Sequence, residues 1–263
     1  VTKGAQSEDN TDIASVSQAS SWGLGRVIQL EQSRLRCTLV DLELLGGAVA
    51  ELEGLVTEIV ADGEDDQIRL RGSDKTITHL SKLKGGASPA PELTDTGVYM
   101  ITGGLGGLGL LFAKWMVDQG ARNIVLTSRS GRVPDSAEAI LETLRGDGAS
   151  IDVVAADPSS PDCIQKLAQY APRLKGVMHA AGALDDAKLV DLDWDRFVSV
   201  MTPKVDGTWH LHELTKNANL DFFVLFSSIT SVLGNTGQAN YGAANAFMDA
   251  FASYRNAGGL PGL

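Results

Sequence analysis

Residues 100–109 read MITGGLGGLG and include five glycines, and their spacing suggests chemistry at once. The run follows an apolar stretch and precedes a helical pattern. At a strand-to-helix junction, bare backbone can turn tightly and approach a pyrophosphate, which the amide groups and the helix dipole stabilise. Glycine also serves simple tight turns, so the position of the run carries the prediction of a nucleotide site. The predicted residues are Thr102, Gly103, Gly104, Leu105, Gly106, Gly107, Leu108 and Gly109.

The end of the second predicted strand reads Leu126-Thr127-Ser128-Arg129-Ser130 and contains no acid. An acid here would bind the ribose hydroxyls of NAD, whereas a base accepts the 2′-phosphate of NADP. Arg129 can offer a planar guanidinium to that phosphate, and Ser128 and Ser130 can add hydroxyl donors. These residues predict NADPH as the cofactor, the alternative being that Arg129 is an ordinary solvated surface base.

A second set of reactive residues follows the last predicted strand, in LFSSITSVLGNTGQANYGAANAFMDAF at 225–251. If a nicotinamide cofactor delivers a hydride to a carbonyl carbon, the resulting alkoxide needs a proton. Tyr241 can donate that proton if its pKa, ordinarily about 10, is lowered. A nearby ammonium would lower it.

The spacing Thr102-Gly103-x-x-x-Gly107-x-Gly109 resembles that of the short-chain dehydrogenase/reductase family, and so does the separation of 13 residues between Ser228 and Tyr241. In that family the positions after the third and fourth strands line the adenine and nicotinamide pockets. The resemblance therefore adds Asp157, Ala180, Ala181 and Gly182 to the predicted cofactor site. Gly182 would permit a close approach of the cofactor.

The chain departs from the general family pattern at Asn245, where most members carry a lysine. It resembles instead the ketoreductase domains of modular polyketide synthases, which have asparagine there and a lysine 37 residues before the tyrosine, here Lys204. The stretches SSWGLGRVIQLE, TSRSG, HAAGALDD and GQANYGAANAFMDAF extend the resemblance. It implies that Tyr241 donates the proton, Ser228 binds the substrate carbonyl, Lys204 lowers the tyrosine pKa and Asn245 holds a relay water.

The same resemblance implies a β-ketoacyl thioester substrate, carried on the phosphopantetheine of an acyl carrier protein beside neighbouring synthase domains. Three alternatives stay open: a noncatalytic ketoreductase-like structural module, a fatty acid synthase ketoreductase, and a free-standing short-chain reductase. The noncatalytic module is disfavoured because Tyr241 and the glycine loop are both present. Asn245 and the upstream α/β segment disfavour the free-standing enzyme.

The tripeptide Leu184-Asp185-Asp186 resembles that of B-type ketoreductases, which form the D-configured (3R) alcohol. The opposite type carries a tryptophan between the catalytic serine and tyrosine, and residues 229–240 contain none. We assign these three residues and Gln238 to substrate orientation. A simpler alternative is that Asp185 and Asp186 cap a helical turn at 187–191.

The elements that must position these residues alternate after Gly97. Apolar runs predict strands at 98–102, 123–127, 151–155, 176–179 and 222–226, and helical patterns fall at 107–119, 137–145, 161–170 and 195–215. Such alternation predicts a Rossmann-like α/β fold with a doubly wound parallel sheet. In the last of these helices, Phe197, Met201, Val205 and Trp209 recur every four residues and predict a core-facing stripe.

Four segments are expected along the chain. Residues 1–20 are polar and predict a linker or disordered arm. Residues 21–84 resemble the C-terminal part of a ketoreductase structural subdomain. We expect residues 85–97 to form a linker rich in Gly and Pro, and residues 98–263 to form the catalytic subdomain. Within 21–84 we expect helices at 21–31 and 48–60 and strands at 37–42, 67–71 and 76–83. The resemblance implies that the catalytic part continues beyond residue 263 and is less stable without that continuation.

Composition excludes several other functions. The net charge of −11 opposes nucleic-acid binding, and the apolar runs are too short to cross a bilayer. Cys37 and Cys163 lie far apart with no metal-ligand spacing around them, so no metal site is predicted. Two reduced thiols suit a cytoplasmic location.

Overall fold

The computed structural model describes residues 1–6, 12–44, 49–60, 63–82 and 92–263. The strands are β1 (Thr2–Lys3), β2 (Leu39–Leu42), β3 (Gln67–Arg71), β4 (Asp74–Ile77), β5 (Val98–Thr102), β6 (Asn123–Ser128), β7 (Ser150–Ala155), β8 (Leu174–His179) and β9 (Phe222–Leu225). The α-helices are α1 (Ile13–Glu31), α2 (Val49–Val60), α3 (Gly107–Asp118), α4 (Asp135–Gly146), α5 (Asp162–Leu167), α6 (Trp194–Thr215), α7 (Thr230–Leu233) and α8 (Ala239–Ala257).

The chain divides into two compact units that interleave along the sequence. Unit 1 comprises Val1–Ser88, Asp185–Phe197 and Ser227–Gly258; unit 2 comprises Pro89–Leu184, Val198–Phe226 and Gly259–Leu263. The sequence predicts consecutive segments, whereas in the structure 185–197 and 227–258 belong to the unit that contains the N-terminal residues. Interleaving of this kind arises from long-range packing, which local composition does not encode.

Unit 2 contains a five-stranded sheet in the order β7-β6-β5-β8-β9, with every neighbouring pair parallel. This confirms the predicted Rossmann-like fold. All five residues of β5 are buried because parallel sheets are covered on both faces. Thr102 is in register with Thr127 of β6 and with His179 of β8, so the carboxyl ends of the three central strands lie at one edge of the sheet.

Unit 1 contains a second sheet in the order β1-β2-β3-β4, in which only β4 runs antiparallel. Val40, Leu42, Ile68 and Leu70 form its small core, and Leu55 of α2 packs against them. Helices α1 and α8 also belong to this unit and approach very closely. A Cβ atom on Gly23 of α1 would lie 2.1 Å from the carbonyl oxygen of Gly242 on α8.

The prediction of a polar arm over residues 1–20 was wrong. Strand β1 lies within that range, and α1 begins at Ile13 rather than near residue 21. Asp12 caps the helix by accepting hydrogen bonds from the amides of Ala14 and Ser15. Val16 and Ala19 are buried on the same helix as the buried Trp22. A few small apolar residues are therefore enough to pack this segment against the rest of the unit. Residues 7–11 lie outside the described part of the chain.

Other element boundaries differ by smaller amounts. The strand expected at 76–83 is β4, which ends at Ile77, and the helix expected at 161–170 is α5 followed by a 3-10 turn over Ala168–Arg173. Most of the linker expected at 85–97 lies outside the described residues. In the described part of the chain, no helix is long and apolar enough to cross a membrane.

Candidate active site

The glycine loop joins β5 to α3 at the edge of the sheet in unit 2. Gly103 has a φ of +65°, in the left-handed region, and a Cβ there would lie 2.9 Å from the carbonyl oxygen of Ala180. Gly104 donates its amide hydrogen to the carbonyl oxygen of Thr127, 3.0 Å away on β6. The loop is therefore folded against the ends of two neighbouring strands, which requires bare backbone.

The remaining glycines of the loop and of the first turn of α3 fall into two groups, those that packing requires and those that are open to solvent. Cβ atoms on Gly104 and Gly109 would meet other backbone or side-chain atoms at under 3 Å, so packing excludes a side chain at both. A Cβ on Gly107 would meet nothing within 4 Å. Gly106 and Gly107 are exposed at the helix N-terminus, and Gly106 offers no side-chain cap. This open, uncapped helix start fits the phosphates of a dinucleotide.

A cavity of about 580 Å³ opens at this edge of unit 2. Nine residues of the predicted cofactor site line it: Gly103, Leu105, Gly106, Ser128, Arg129, Asp157, Ala180, Ala181 and Gly182. Six further lining residues were not predicted: Pro158, Ser159, Ala183, Ser199, Thr202 and Pro203. Six of the predicted residues do not line it: Thr102, Gly104, Gly107, Leu108, Gly109 and Ser130. Their position on α6, within five residues before Lys204, is the only sequence signal that Ser199, Thr202 and Pro203 carry.

Arg129 is exposed on the loop after β6 and makes no hydrogen bond or ion pair with any residue that the structure describes. The hydroxyl oxygens of Ser128 and Ser130 accept hydrogen bonds from the amides of Gly131, at 3.0 Å, and Arg132, at 3.2 Å. Each hydroxyl retains its own hydrogen for donation. The loop therefore presents a guanidinium and two hydroxyl donors beside the cavity.

Asp157 shapes the segment after β7. One of its carboxylate oxygens accepts hydrogen bonds from Ser159, at 3.0 Å from the amide and 2.6 Å from the hydroxyl. This Asx-type turn holds an acidic group at the cavity wall, where the resemblance had assigned adenine contacts.

His179 ends β8 as a fully buried imidazole between two hydrogen-bond partners. Its Nε2 lies 3.0 Å from the carbonyl oxygen of Pro203, which can only accept, so Nε2 carries the hydrogen. Its Nδ1 accepts from the Thr102 hydroxyl at 2.6 Å. Burial, with a smaller contribution from the charge of Lys204, lowers the pKa of His179 to about 3. The imidazole is therefore neutral at physiological pH and ties β5 to α6.

Lys204 is 4% exposed on α6. Its Nζ donates to the carbonyl oxygen of Phe226 at 2.9 Å, directly after the end of β9. A Cβ on Gly182 would lie 3.4 Å from Lys204 Cε, an ordinary van der Waals distance, so the lysine side chain lies directly beside this glycine. The ammonium is thus held at the same edge of the sheet as the glycine loop.

Tyr241 and Asn245 lie one turn apart on α8 in unit 1. The Asn245 side-chain amide donates to the carbonyl oxygen of Tyr241 at 2.7 Å, and the Ser227 hydroxyl donates to the carbonyl oxygen of Asn245 at 3.3 Å. The side-chain oxygen of Asn245 is buried and has no hydrogen-bond partner among the described residues. A buried acceptor of this kind is available to accept a hydrogen bond from a water molecule.

Ser228 lies two residues before the short helix α7 in the same unit. Its hydroxyl oxygen lies 3.3 Å from the amide of Thr230, and its carbonyl oxygen accepts from the amide and hydroxyl of Ser231, at 3.0 and 2.7 Å. The Ser228 side chain is half-buried and keeps a donor hydrogen.

Asp185 and Asp186 do not cap the turn that follows them. The 3-10 turn spans Leu189–Asp191, and no side chain caps it. Instead, Arg196 binds the Asp185 carboxylate at 2.6 Å, and the Gln238 amide donates to Asp186 Oδ2 at 2.9 Å. Hydrogen bonding to Asp185 raises the pKa of Arg196. The predicted residue Leu184 lies in unit 2 and is 66% exposed.

Sequence reasoning missed Arg196 and Asn240 in this cluster. The Asn240 side-chain amide donates to the carbonyl oxygens of Asp185, at 2.9 Å, and Arg196, at 3.2 Å. Asn240 stands directly before Tyr241, and its side-chain oxygen accepts from the Tyr241 amide at 2.8 Å. These contacts bring together the predicted substrate-orienting residues of unit 1 and the first turn of α8.

Comparison with known proteins agrees with this geometry. Residues 97–263 match the family model described as KR domain. The chain is 40% identical over 259 residues to a 6-methylsalicylic acid synthase of Arthrobotrys oligospora, covering 92% of this chain and 14% of that protein. It is 38% identical to polyketide synthase GfsB of Streptomyces halstedii, covering 100% of this chain and 5% of that protein.

Solved structures give the same answer. The A-type ketoreductases from a modular polyketide synthase superpose with a TM-score of 0.87 at 33% identity, over 98% of this chain and 56% of that chain. The first ketoreductase of the tylosin polyketide synthase superposes with a TM-score of 0.84 at 36% identity, over 92% of this chain and 52% of that chain.

Fold and site together define an oxidoreductase of the short-chain dehydrogenase/reductase type, a class that uses a nicotinamide cofactor. Within that class, the chain belongs to the ketoreductase domain family of polyketide synthases. It spans only 14% and 5% of the two curated relatives and just over half of the solved ketoreductases. The relatives therefore carry further synthase domains beside the matched part.

Proposed function

We propose that this chain reduces a β-ketoacyl thioester with NADPH and forms the D-(3R)-hydroxyacyl thioester during polyketide chain extension. The substrate would be carried on the phosphopantetheine of an acyl carrier protein, in a cytoplasmic synthase. One observation above all supports a catalytic role. The helix turn that carries Tyr241 also carries Asn245, whose buried side-chain oxygen has no partner among the described residues and fits a relay water.

Each predicted catalytic residue takes one step in this proposal. NADPH, when bound, supplies the hydride. The Ser228 hydroxyl donates a hydrogen bond to the substrate carbonyl oxygen and holds it as negative charge develops. The Tyr241 hydroxyl gives its proton to that oxygen.

The two remaining residues restore and assist the proton donor. The Lys204 ammonium favours the negative charge that Tyr241 acquires on losing its proton. A water held by the Asn245 side-chain oxygen returns a proton to the tyrosine. Fixed burial of Lys204 and Asn245 supports these roles, because buried groups need no reorganisation during the reaction.

Preference for NADPH is supported by Arg129. This exposed guanidinium has no carboxylate partner among the described residues, and it lines the same cavity as the glycine loop. A doubly charged 2′-phosphate would accept charge-assisted hydrogen bonds from the Arg129 guanidinium, and Ser128 and Ser130 would be further donors.

D-configuration is supported by the cluster around Asp185 and Asp186. Side chains bind both carboxylates, and neither carboxylate caps the turn at Leu189–Asp191. In addition, residues 229–240 contain no tryptophan. The hydride leaves from one face of the nicotinamide. The orientation of the bound substrate therefore determines which face of the ketone the hydride attacks. A difference of about 2.7 kcal/mol between two poses gives a hundredfold preference.

The test is incubation of the protein with NADPH and a short β-ketoacyl thioester, followed by chiral chromatography of the product. We expect NADPH-dependent reduction with the D-hydroxy product in large excess. Predominance of the L-hydroxy product would overturn the stereochemical assignment and leave the reductase standing. Absence of reduction would overturn the proposed function itself.

A further inference from the structure

Glu31, the last residue of α1, contacts two segments that lie far away in the sequence. Its Oε1 accepts a hydrogen bond from the amide of Gly237, and its Oε2 accepts one from the amide of Leu189, both at 2.7 Å. All three residues belong to unit 1. Glu31 precedes residues 97–263, the range that matches the ketoreductase family model.

The two segments that Glu31 joins carry the residues assigned to substrate orientation. Segment 185–191 contains Asp185 and Asp186, and loop 235–238 ends in Gln238, directly before α8. The two also touch directly, because the amide of Ala187 donates to the carbonyl oxygen of Gly237 at 2.9 Å. Residues 187 and 238 form an isolated parallel bridge there. Together with the Gln238–Asp186 hydrogen bond, this bridge links the two irregular segments, and Glu31 adds two further hydrogen bonds to their backbone.

A carboxylate suits this position better than any other side chain. Both partners are backbone amides and can only donate, whereas an ionised carboxylate has two oxygens that only accept. Charge-assisted bonds of this kind are short and strong, in keeping with the two distances of 2.7 Å. An amide side chain could satisfy only one of the two donors, because its NH2 group would face the other.

We propose that Glu31 is a positioning residue that fixes segment 185–191 against loop 235–238, so that helix α1 helps to determine the configuration of the product. The inference rests on the proposed function, because it concerns how the substrate lies during that reduction. Glu31 itself touches neither substrate nor cofactor in this account. It acts through the backbone of the two segments.

The two hydrogen bonds that Glu31 accepts from the amides of Leu189 and Gly237 are called the clamp. The first test measures the clamp without reference to activity. Hydrogen exchange of peptides covering 185–191 and 234–238 is compared in the wild type, in Glu31→Gln and in Glu53→Gln. Glu53 is an exposed glutamate on α2, so its substitution removes the same charge elsewhere in unit 1. We expect at least about tenfold faster exchange at the amide of Leu189 or Gly237 in Glu31→Gln, and wild-type rates in Glu53→Gln. Wild-type rates in Glu31→Gln would overturn the clamp.

A second pair of variants removes one donor and keeps the glutamate. Leu189 is the first residue of a 3-10 turn, and Lys188 before it is extended, with φ −58° and ψ 148°, so proline fits the backbone at position 189. Leu189→Pro deletes the amide hydrogen that Glu31 accepts, whereas Leu189→Ala shortens the side chain and keeps that hydrogen. We expect Leu189→Pro to behave as Glu31→Gln does.

The functional readout is the ratio of D- to L-hydroxy product from a β-ketoacyl thioester, measured with the KM for that substrate and the Kd for NADPH. We expect Glu31→Gln and Leu189→Pro to lower the ratio about tenfold and to raise KM, with Kd within about twofold of the wild type. Glu53→Gln and Leu189→Ala should match the wild type. Unchanged ratios in both clamp variants would overturn the positioning role. Failure of the wild type to reduce the substrate would count against the proposed function, while the exchange data would still test the clamp.

Discussion

Arg129 is the side chain through which the cofactor preference can be tested. Its guanidinium has no carboxylate partner among the described residues, and a charge-assisted contact with a 2′-phosphate contributes roughly 1.5–3 kcal/mol. We expect the wild type to bind NADPH about tenfold to a hundredfold more tightly than NADH, and Arg129→Ala to lose most of that difference. Fluorescence titration gives the four dissociation constants.

Arg132 provides the matched control, because it is an exposed arginine three residues further along the same loop. Arg132→Ala removes the same charge and should keep the preference for NADPH. If both variants lost the preference equally, general loop charge rather than a specific phosphate contact would be responsible.

His179 gives a prediction about stability and pH. Its pKa is about 3 in the folded chain and about 6.5 when unfolded, so the folded state disfavours the proton. The contribution of the neutral imidazole is therefore complete above pH 6.5 and is lost as the pH falls from 6.5 toward 3. From this group alone, the free energy of unfolding should fall by about 1.4 kcal/mol between pH 7.5 and 5.5.

Urea unfolding at the two pH values, in the wild type and in His179→Asn, isolates that contribution. The variant should be less stable at both values because two buried hydrogen bonds change. The decrease in its free energy of unfolding between pH 7.5 and 5.5 should nevertheless be smaller than that of the wild type by about 1.4 kcal/mol. An identical pH dependence in the two proteins would show that His179 is not held neutral.

Residue spacing predicted the candidate site only in part. Arg129 and several of the predicted glycines stand in recognisable order along the chain and line the cavity, whereas the catalytic roles of Ser228 and Tyr241 stay predictions. Glu31, Arg196 and Asn240 were not found, because their partners are mostly backbone atoms or lie up to 206 residues away. Backbone acceptors and donors are the same at every position, so sequence carries no sign of them.

At the scale of elements, the contact between α1 and α8 can be tested at Gly23. A Cβ there would lie 2.1 Å from the carbonyl oxygen of Gly242 and 2.8 Å from the amide nitrogen of Ala243, both backbone atoms. Gly23→Ala should therefore force α8 away and lower the free energy of unfolding by about 2 kcal/mol or more. The loss should appear as a drop of about 5 °C in Tm.

Gly54 on α2 is the control for helix propensity. A Cβ at this position would lie 3.5 Å from Leu70 Cδ1, an ordinary van der Waals distance, and alanine favours a helix over glycine by up to about 1 kcal/mol. Gly54→Ala should leave Tm unchanged or raise it. A Gly23→Ala protein as stable as the wild type would mean that the two helices can separate without loss.

Element prediction succeeded where burial is strong and local. The five strands of unit 2 are short apolar runs and were located to within about two residues. In α6, the expected stripe of Phe197, Met201, Val205 and Trp209 is only partly buried. The buried positions there include Val200, Lys204, Gly207, Thr208 and Leu211, since a lysine, a glycine and a threonine take the inner face. Hydrophobicity alone cannot identify a helix face that buries a lysine and a threonine.

At the scale of the whole molecule, the two interleaved units lie beyond what local patterns can predict. Units of this kind are defined by contacts between distant segments, such as α1 with α8. The predicted catalytic residues divide between them, with Lys204 in unit 2 and Ser228, Tyr241 and Asn245 in unit 1.

The central claim is that this chain reduces a β-ketoacyl thioester with Tyr241 as the proton donor. The most direct measurement is the rate of NADPH oxidation with that substrate in the wild type, in Tyr241→Phe and in Tyr254→Phe, which removes a hydroxyl from the same helix. We expect Tyr241→Phe to lower turnover by about a hundredfold or more, with Kd for NADPH within about twofold, and Tyr254→Phe to keep wild-type turnover. Turnover by Tyr241→Phe equal to that of the wild type would contradict the account.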